Sequence, residues 1–255
     1  MNKIETKILN CSAIREAEKN MVFTARLTQR GHLIHNMEDL VRLYNSSFTK
    51  DTVRNMGSLP HPTIQKFSVI TVAVVGASRR FLSQITRHQN EVKFTSASLQ
   101  YSNYSGEAGF VKPYEILTAP PAIQKLYERS CLSDMDCYEQ LCKAGISHDS
   151  AGYVTPQGLR NVLIISATPF EWKHIIGQRS CRRNTDEMRI VILNIWQDLY
   201  TLSPTLFLPE QTGPFCQRSK CLEGKMSCGF PIPRFLTPAD IILKDYPGLK
   251  GGENE

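Results

Sequence analysis

The chain has 255 residues and a formal net charge of +6, from 30 Lys plus Arg against 24 Asp plus Glu. Hydrophobic residues make up 41% and charged residues 21%, which excludes a largely disordered, collagen-like or coiled-coil protein and is typical of globular domains. The modest positive charge favours a local anion site and argues against a nucleic-acid-binding surface.

The sequence also indicates where the protein resides. No apolar run approaches the roughly 20 residues that a membrane span requires. Residues 1–5 lack the apolar stretch of a secretory signal. We therefore expect a cytoplasmic protein that does not bind a membrane, with its eight cysteines as reduced thiols.

Strand-like and helix-like segments follow one another in the first part of the chain. β-Branched and apolar residues predict a strand over 21–28, and Asn36 is a suitable N-cap for a short helix over 37–44. Residues 67–75 are apolar on both faces, the pattern of a central strand covered on both sides. Ser78 is then the expected N-cap of a helix that ends near residue 88.

The second part of the chain is predicted to be mostly helical. Apolar residues at helical spacing indicate helices over 121–144, which could break near Ser133, over 169–179 and over 186–200. Thr168 at the N-cap, Pro169 at N1 and Glu171 at N3 predict a helix start with a capping box, and a buried strand over 162–167 precedes it. Strands mixed irregularly with helices predict a single α+β domain over 1–255, with 246–255 as a flexible tail.

Two polar segments carry candidate binding residues. Residues 83–90 and 95–102 are rich in Arg, Gln and Ser, whose donors and acceptors suit a nucleotide better than a metal ion. A solvated helix end followed by a polar hairpin explains the same composition, and both interpretations remain open.

A third polar segment ends the helix predicted over 169–179. His174 and Gln178 lie one helical turn apart, and Arg179 follows at the helix end. Arg182 and Arg183 could bind an anion, interact with the helix dipole, or pair with the acidic residues at 186 and 187.

The cysteines give a weaker signal. Cys216, Cys221 and Cys228 are close in sequence, but structural zinc usually takes four ligands and no His is nearby. Local reduced thiols are the favoured interpretation, structural zinc is the alternative, and no metal site is predicted. Cys131, Cys137 and Cys142 are expected in the core. Cys181 is a poor candidate nucleophile because no base is assigned to it.

Placed in order, these motifs resemble the flavin-dependent thymidylate synthase family. The family signature, Arg-His-Arg and then Ser-x-Arg-Tyr, is similar to Arg87-His88-Gln89 and Ser98-Leu99-Gln100-Tyr101. The flanking motifs of the family also have counterparts here, in order His61-Pro62-Thr63, Gln84, Arg160 before a buried strand, Arg179 eight residues before Glu187, and Cys216 through Gly229.

The resemblance implies a fold, a reaction and an assembly. The fold would be a central, mostly antiparallel sheet flanked by helices. The reaction would convert dUMP to dTMP with 5,10-methylenetetrahydrofolate as carbon donor and NADPH as reductant through FAD. A homotetramer would build each active site from more than one subunit.

The resemblance also implies roles for individual residues. FAD would contact His61, Thr63, Arg87, His88, Gln89 and His174. The nucleotide would contact Gln84, Arg87, Ser98, Leu99, Gln100 and Arg160, with Arg160 on its phosphate. Arg179 would be catalytic, facing the uracil edge and stabilising negative charge.

Several positions depart from the family pattern. Gln89 and Gln100 stand where the family has Arg, and Ser96 stands where it usually has Glu. Two cations for phosphate or flavin are therefore missing. The departures leave two alternatives open: a related enzyme acting on UMP or dCMP, and a non-catalytic nucleotide- or RNA-binding homologue.

Overall fold

Four antiparallel strands form one sheet in the order β1-β2-β4-β3. They are β1 Glu5–Ile8, β2 Ile70–Ser78, β3 Val92–Ser96 and β4 Arg160–Ala167. The computed structural model describes residues 4–106 and 109–249. The α+β domain with an antiparallel sheet and flanking helices is confirmed.

The helices belong to four stretches of the chain. Before β2 lie α1 Ser12–Arg30, α2 Met37–Tyr44 and α3 Lys50–Gly57, and α4 Arg79–Ile85 follows β2 directly. Between β3 and β4 lie α5 Tyr114–Leu117, α6 Pro121–Lys143 and α7 His148–Ala151. After β4 come α8 Pro169–Arg179, α9 Asp186–Leu202, α10 Pro209–Thr212, α11 Phe215–Arg218 and α12 Pro238–Asp245. No helix in these described stretches is both long and apolar enough to cross a bilayer.

The strand predicted over 21–28 is wrong, because these residues belong to α1. Its buried residues are Ala13, Ile14, Ala17, Met21, Val22 and Ala25. These positions recur every three or four residues and form one helical face, which packs into the main core. Burial along the whole helix therefore outweighs the β propensity of its second half.

Over residues 4–106 and 109–249, the chain covers one face of the sheet and leaves the other open. On β2, Ile70, Val72 and Val74 are buried, whereas Val69 just before it and Val75 are 51% and 39% exposed. The expectation of a strand covered on both faces is therefore wrong for a single chain. A bulge at Gly76, whose φ is +85°, shifts the register before the strand ends.

Two helices complete the main core. Helix α8 contributes Trp172 and Ile176, and helix α9 contributes Ile192 and Trp196, all fully buried. The indole N–H of Trp172 donates to the carbonyl of Ile70 over 3.0 Å, which fixes α8 against β2. The first turn of α8 is thereby held at a defined place beside the sheet.

A second, smaller cluster lies under α6 and α7. It contains Met135, Tyr138, Ala151 and Leu159, and Leu99 from the loop after β3 packs against it. Helix α6 is continuous, with no break at Ser133. Of its three cysteines, Cys131 is buried, Cys142 is half-buried and Cys137 is exposed, so the core placement of Cys137 is wrong.

The C-terminal part packs against α9. Asp245 accepts hydrogen bonds from Arg182 and Arg189, and the Arg189 guanidinium also donates to the Tyr246 hydroxyl over 2.6 Å. Tyr246 is buried, so the first residue of the predicted tail is part of the fold. Residues 250–255 of that tail lie outside the described residues.

Candidate active site

Arg179, at the end of α8, brings two distant segments together. Its Nε–H donates to Nε2 of His88 over 2.9 Å, and its Nη2 donates to the carbonyl of Gln84 over 3.1 Å. A third, longer contact joins Nη1 to Oδ1 of Asn184 over 3.4 Å. These bonds hold the guanidinium in one orientation, half-buried between the end of α8 and the segment 84–88, which includes the end of α4.

His88 is buried and neutral. Its Nε2 accepts from Arg179, so the ring hydrogen is assigned to Nδ1, which lies 3.7 Å from a carboxylate oxygen of Glu171. Burial, followed by the charges of Arg179 and His174, lowers the pKa of His88 from 6.5 to about 4. The contact with Glu171 is therefore not an ion pair at neutral pH.

Glu171 is a buried acid in the first turn of α8. Burial, and then the neighbouring charge of Glu91, raise its pKa from 4.5 to about 7, although Lys66 acts in the opposite direction. The predicted N-cap is confirmed, since Oγ1 of Thr168 accepts the backbone N–H of Glu171 over 3.2 Å. The predicted capping box is wrong, because the Thr168 N–H donates to the carbonyl of Glu91 while the Glu171 carboxylate faces His88. One side of His88 thus meets a titratable carboxyl group, and the other meets a fixed cation.

His174 extends this group towards solvent. Its exposed ring lies 5.9 Å from the ring of His88 and 6.1 Å from that of Phe215, between ring centroids. Burial, followed by the charges of Arg218 and Arg179, lowers the pKa of His174. We call Gln84, His88, His174 and Arg179 the arginine–histidine cluster.

The chemistry around this cluster fits an aromatic, anionic cofactor. The rings of His88, His174 and Phe215 follow one another between the guanidinium groups of Arg179 and Arg218. The Arg218 guanidinium lies over the Phe215 ring at 5.4 Å. Arg87 is exposed and close enough to lower the pKa of Arg179, after burial. Gln89 is exposed beside it. Flat rings and positive charge are what a flavin with its phosphates would contact.

The predicted residues His61 and Thr63 are exposed, at the short 3-10 turn Pro62–Gln65, which contacts α1 and α8. Lys66 follows this turn, and its ammonium lies 2.6 Å from a carboxylate oxygen of Glu91. Glu91 in turn accepts from the Thr168 hydroxyl over 3.0 Å. These contacts bring the 61–66 segment to the start of α8.

Ser98, Leu99 and Gln100 do not lie beside the arginine–histidine cluster. Strand β3 has five residues, a length of about 16 Å, and its register places Val92 beside Ala167 but Ser96 beside Leu163. His88 precedes one end of the strand and the loop with Ser98 follows the other. Within one chain, the structure therefore separates these three residues from the arginine–histidine cluster.

The loop after β3 lines a cleft of its own, of about 460 Å³. We call it the loop cleft; its lining is Arg79, Ser98, Leu99, Gln100, Asp149, Gly152, Tyr153, Thr155, Pro156 and Gln157. The Nη1 atom of Arg79 is buried and has no hydrogen-bond partner among the described residues. Hydroxyl, amide and guanidinium groups face a common space, as in an oxyanion-binding site.

Arg79 is the residue that the sequence alone did not single out. Arg160, the predicted phosphate contact, pairs in register with Ser78 at the same end of the sheet, but it is exposed and does not line the loop cleft. The signal available in the sequence was the pair Arg79-Arg80 directly after the Ser78 cap. Nothing there tells which of the two side chains turns inward.

Glu187, eight residues after Arg179, has a structural role. Its two carboxylate oxygens accept the backbone N–H and the hydroxyl of Ser78, each over 2.6 Å. The same hydroxyl accepts the backbone N–H of Phe81, so the predicted N-cap is confirmed, although α4 ends earlier than expected, at Ile85. Glu187 fixes the start of α4 from helix α9.

The remaining candidates also have defined surroundings. Arg182 pairs with Asp245 over 2.8 Å, and not with the acidic residues at 186 or 187. Burial is the largest influence on Cys181 and raises its pKa, which argues against a reactive thiolate there. All eight cysteines are free thiols in this structure.

Comparison with known proteins gives consistent matches. Residues 10–205 match the family model described as thymidylate synthase complementing protein. The flavin-dependent thymidylate synthase of Geobacter sulfurreducens is 27% identical over 174 residues, 68% of this chain and 73% of that protein. The enzyme of the same name from Thermococcus onnurineus is 28% identical over 175 residues, 65% of this chain and 69% of that protein.

Two solved structures share the fold. The UMP/dUMP methylase PolB from Streptomyces cacaoi, bound with 5-Br dUMP, has a TM-score of 0.65 at 16% identity, over 80% of this chain and 93% of that chain. Thymidylate synthase X from Helicobacter pylori, with FAD and dUMP, has a TM-score of 0.55 at 15% identity, over 81% and 98%. The chain belongs to the thymidylate synthase complementing protein family, a family of flavin-dependent thymidylate synthases.

Proposed function

We propose that this protein is a flavin-dependent thymidylate synthase. It would methylate dUMP reductively to dTMP, with 5,10-methylenetetrahydrofolate as carbon donor and NADPH as reductant through FAD. The observation that carries the proposal is the meeting of Gln84, His88, His174 and Arg179, which come from segments 91 positions apart in the sequence. These are residues for which the family resemblance implies cofactor and substrate contacts.

The arginine–histidine cluster would hold FAD and the uracil ring. His61, Thr63, Arg87, Gln89 and His174 are exposed and would contact the cofactor together with His88. FAD, when bound, supplies the redox chemistry, so the protein needs to provide only orientation and electrostatics. A neutral His88 accepts a hydrogen bond from Arg179 and keeps the guanidinium oriented without competing for its charge.

Arg179 would be the catalytic residue. Its guanidinium would face the uracil edge and stabilise negative charge that develops on N3 and O2 of the base. A preorganised cation at such a position contributes about 3–4 kcal/mol, by analogy with single oxyanion-hole donors. The scheme assigns no covalent role to a cysteine, in line with the raised pKa of Cys181.

The loop cleft would hold the nucleotide phosphate. Ser98, Leu99 and Gln100 are the residues of the family signature there, and Gln100 lacks the charge of the usual Arg. Arg79, whose buried Nη1 has no partner in the described part of the chain, would supply that charge. Arg79 thus takes the phosphate role that the resemblance implied for Arg160.

The separation of the two regions supports an assembly with shared sites. The arginine–histidine cluster and the loop with Ser98 lie beyond opposite ends of β3, and two chains that each supply one region would bring both onto one nucleotide. The apolar open face of the sheet, including Val69 and Val75, offers a surface for such contacts. A homotetramer would cover this open face and would also build each site from two chains.

A second candidate is a C5-modifying enzyme of the same family that acts on UMP or dCMP. Two observations favour keeping it: Ser96 and Gln100 depart from the family pattern, and one of the structures with the same fold is a UMP/dUMP methylase. The side-chain amide of Gln100 can both donate to and accept from a ribose hydroxyl, whereas an arginine at this position could only donate.

Substrate-dependent proton release tests both candidates. The purified protein should bind FAD, oxidise NADPH only when dUMP is present, and release tritium from C5-labelled dUMP. Release from labelled UMP or dCMP with inert dUMP would replace the first candidate by the second. Absence of bound FAD and of release from all three would instead indicate a non-catalytic homologue.

A further inference from the structure

Four cysteines line one cavity beside the end of α8. The cavity has a volume of about 210 Å³, and its lining includes Cys181, Cys216, Cys221 and Cys228. All four thiols are half-buried and free. None of them is used by the proposed reaction.

We propose that these four cysteines form a structural zinc site. Structural zinc is usually bound by four ligands, and thiolates are among its preferred ligands. The sequence places three cysteines together, over 216–228, and the fold supplies the fourth, Cys181, from the segment that follows α8. We call this set the four-cysteine site.

The stretch 219–230, which carries Cys221 and Cys228, has little regular structure and no buried residue. Between α11 and α12 its only regular element is the three-residue turn Gly224–Met226. Its apolar side chains Leu222, Met226 and Phe230 are 62%, 59% and 70% exposed. A segment that buries so little apolar surface needs another source of order, and a bound metal ion provides one.

The thiols must move closer together to bind the ion. Among the described residues, the set of three potential ligands whose atoms all lie within 4.8 Å of one another is His88, Glu171 and His174, and not a set of cysteines. Because Cys221 and Cys228 lie outside any long helix or strand, they can approach Cys181 and Cys216 without breaking a regular element.

The charges around the cavity suit a metal bound by four thiolates. Such a complex carries a net charge of −2, since Zn²⁺ meets four negative sulfur atoms. Arg182 and Arg183 line the same cavity, against the single acid Glu223. Arg182 already holds the segment, because its Nη1 donates to the carbonyl of Phe230 over 2.6 Å.

Metal analysis of the untagged full-length protein tests the site. After expression with added zinc and purification without chelator, we expect roughly one zinc ion per chain. Replacement by Co²⁺ should give the absorption of a tetrahedral cobalt–thiolate complex. Protein that neither retains zinc nor takes up Co²⁺, or that has disulfides among these four cysteines, would overturn the proposal.

Matched variants locate the ion. Cys221→Ser and Cys228→Ser should each lose most of the zinc, whereas Cys137→Ser, at an exposed cysteine on α6, should keep it. Wild-type zinc content in either of the first two variants would exclude the four-cysteine site. If both variants fail to fold, the cobalt spectrum of the wild-type protein decides the question.

Discussion

Arg179 and His88 form a hydrogen bond of 2.9 Å in which the guanidinium donates and the neutral imidazole accepts. The direction of this hydrogen bond requires a neutral His88. Protonated His88 would have no lone pair to accept with, and two positive groups would then face each other. The bond therefore keeps the charge on Arg179, where the proposed reaction uses it, and off the histidine.

Replacing Arg179 tests whether its positive charge is needed for the reaction. Arg179→Ala should lower kcat by about 10²–10³-fold, because one preorganised charge is lost from the site. FAD should stay bound, since the other proposed cofactor contacts remain. NADPH oxidation and flavin absorbance measure the two effects. Arg183→Ala, at an exposed arginine nearby, is the control; undiminished turnover in Arg179→Ala would remove the proposed role.

The pH dependence of stability tests the buried pair of His88 and Glu171. The pKa of His88 falls from 6.5 to about 4 on folding, so this residue makes stability rise with pH across that interval. The pKa of Glu171 rises from 4.5 to about 7, so stability falls with pH across the overlapping interval. In the wild-type protein the two contributions oppose each other.

Glu171→Gln should remove the opposing contribution of the carboxyl group and leave the pH dependence of stability that comes from His88. Its melting temperature should rise with pH between about 4 and 6.5 more steeply than that of the wild-type protein. Thermal unfolding monitored at half-unit pH steps measures this, with the exposed Glu210→Gln as control. Parallel profiles for Glu171→Gln and the wild-type protein would contradict the assignment of the two pKa shifts.

Arg79 can be tested with two ligands that differ only in the phosphate. Arg79→Gln should weaken dUMP binding by about 10–100-fold, the loss of one charge-assisted hydrogen bond. Binding of deoxyuridine, which has no phosphate, should be unchanged. Calorimetry measures both, and Arg80→Gln is the matched control at the exposed neighbour. An equal loss for both ligands would point to a structural effect.

The C-terminal ion pair is predicted to matter for stability. Asp245→Asn removes the carboxylate that faces Arg182 and the buried Arg189. Breaking a buried pair leaves an uncompensated charge and costs about 3 kcal/mol or more. Urea unfolding measures this free energy. Glu139→Gln, in the exposed pair with Lys143 on α6, should cause no measurable change.

Some of the fold could be predicted because its signals are local. The helix starts at Asn36, Ser78 and Thr168 are confirmed, since each side chain accepts a backbone N–H only three residues ahead. The strand over 21–28 was wrong because its residues satisfy a local β pattern. Their burial on one helical face involves residues as far back as Ala13.

The site was predictable only in part, for a similar reason. His88 and Arg179 are parts of motifs, whereas the inward turn of Arg79 and the approach of Cys181 to later cysteines depend on tertiary packing. Glu187 was identified by its spacing from Arg179, yet its contacts with Ser78 follow from where α9 lies. Spacing along the chain did not reveal these partners.

Mixed assemblies test whether sites are shared. Arg179→Ala and Arg79→Gln chains should each be inactive alone at low dUMP, but their co-assembly should recover activity. One chain supplies an intact arginine–histidine cluster and the other an intact loop cleft, so about a quarter of the sites are complete after random mixing. A mixture of Arg179→Ala and His88→Ala chains should recover none, because both changes affect the same region.

Helix α4 connects these two regions within each chain. It has seven residues, begins at Arg79 and ends just before His88, and Glu187 fixes its start through Ser78. In a shared-site assembly, its two ends serve different catalytic centres. Because Glu187 holds the start of this short helix, loss of its carboxylate would disturb two neighbouring centres at once, although Glu187 has no assigned contact with either nucleotide.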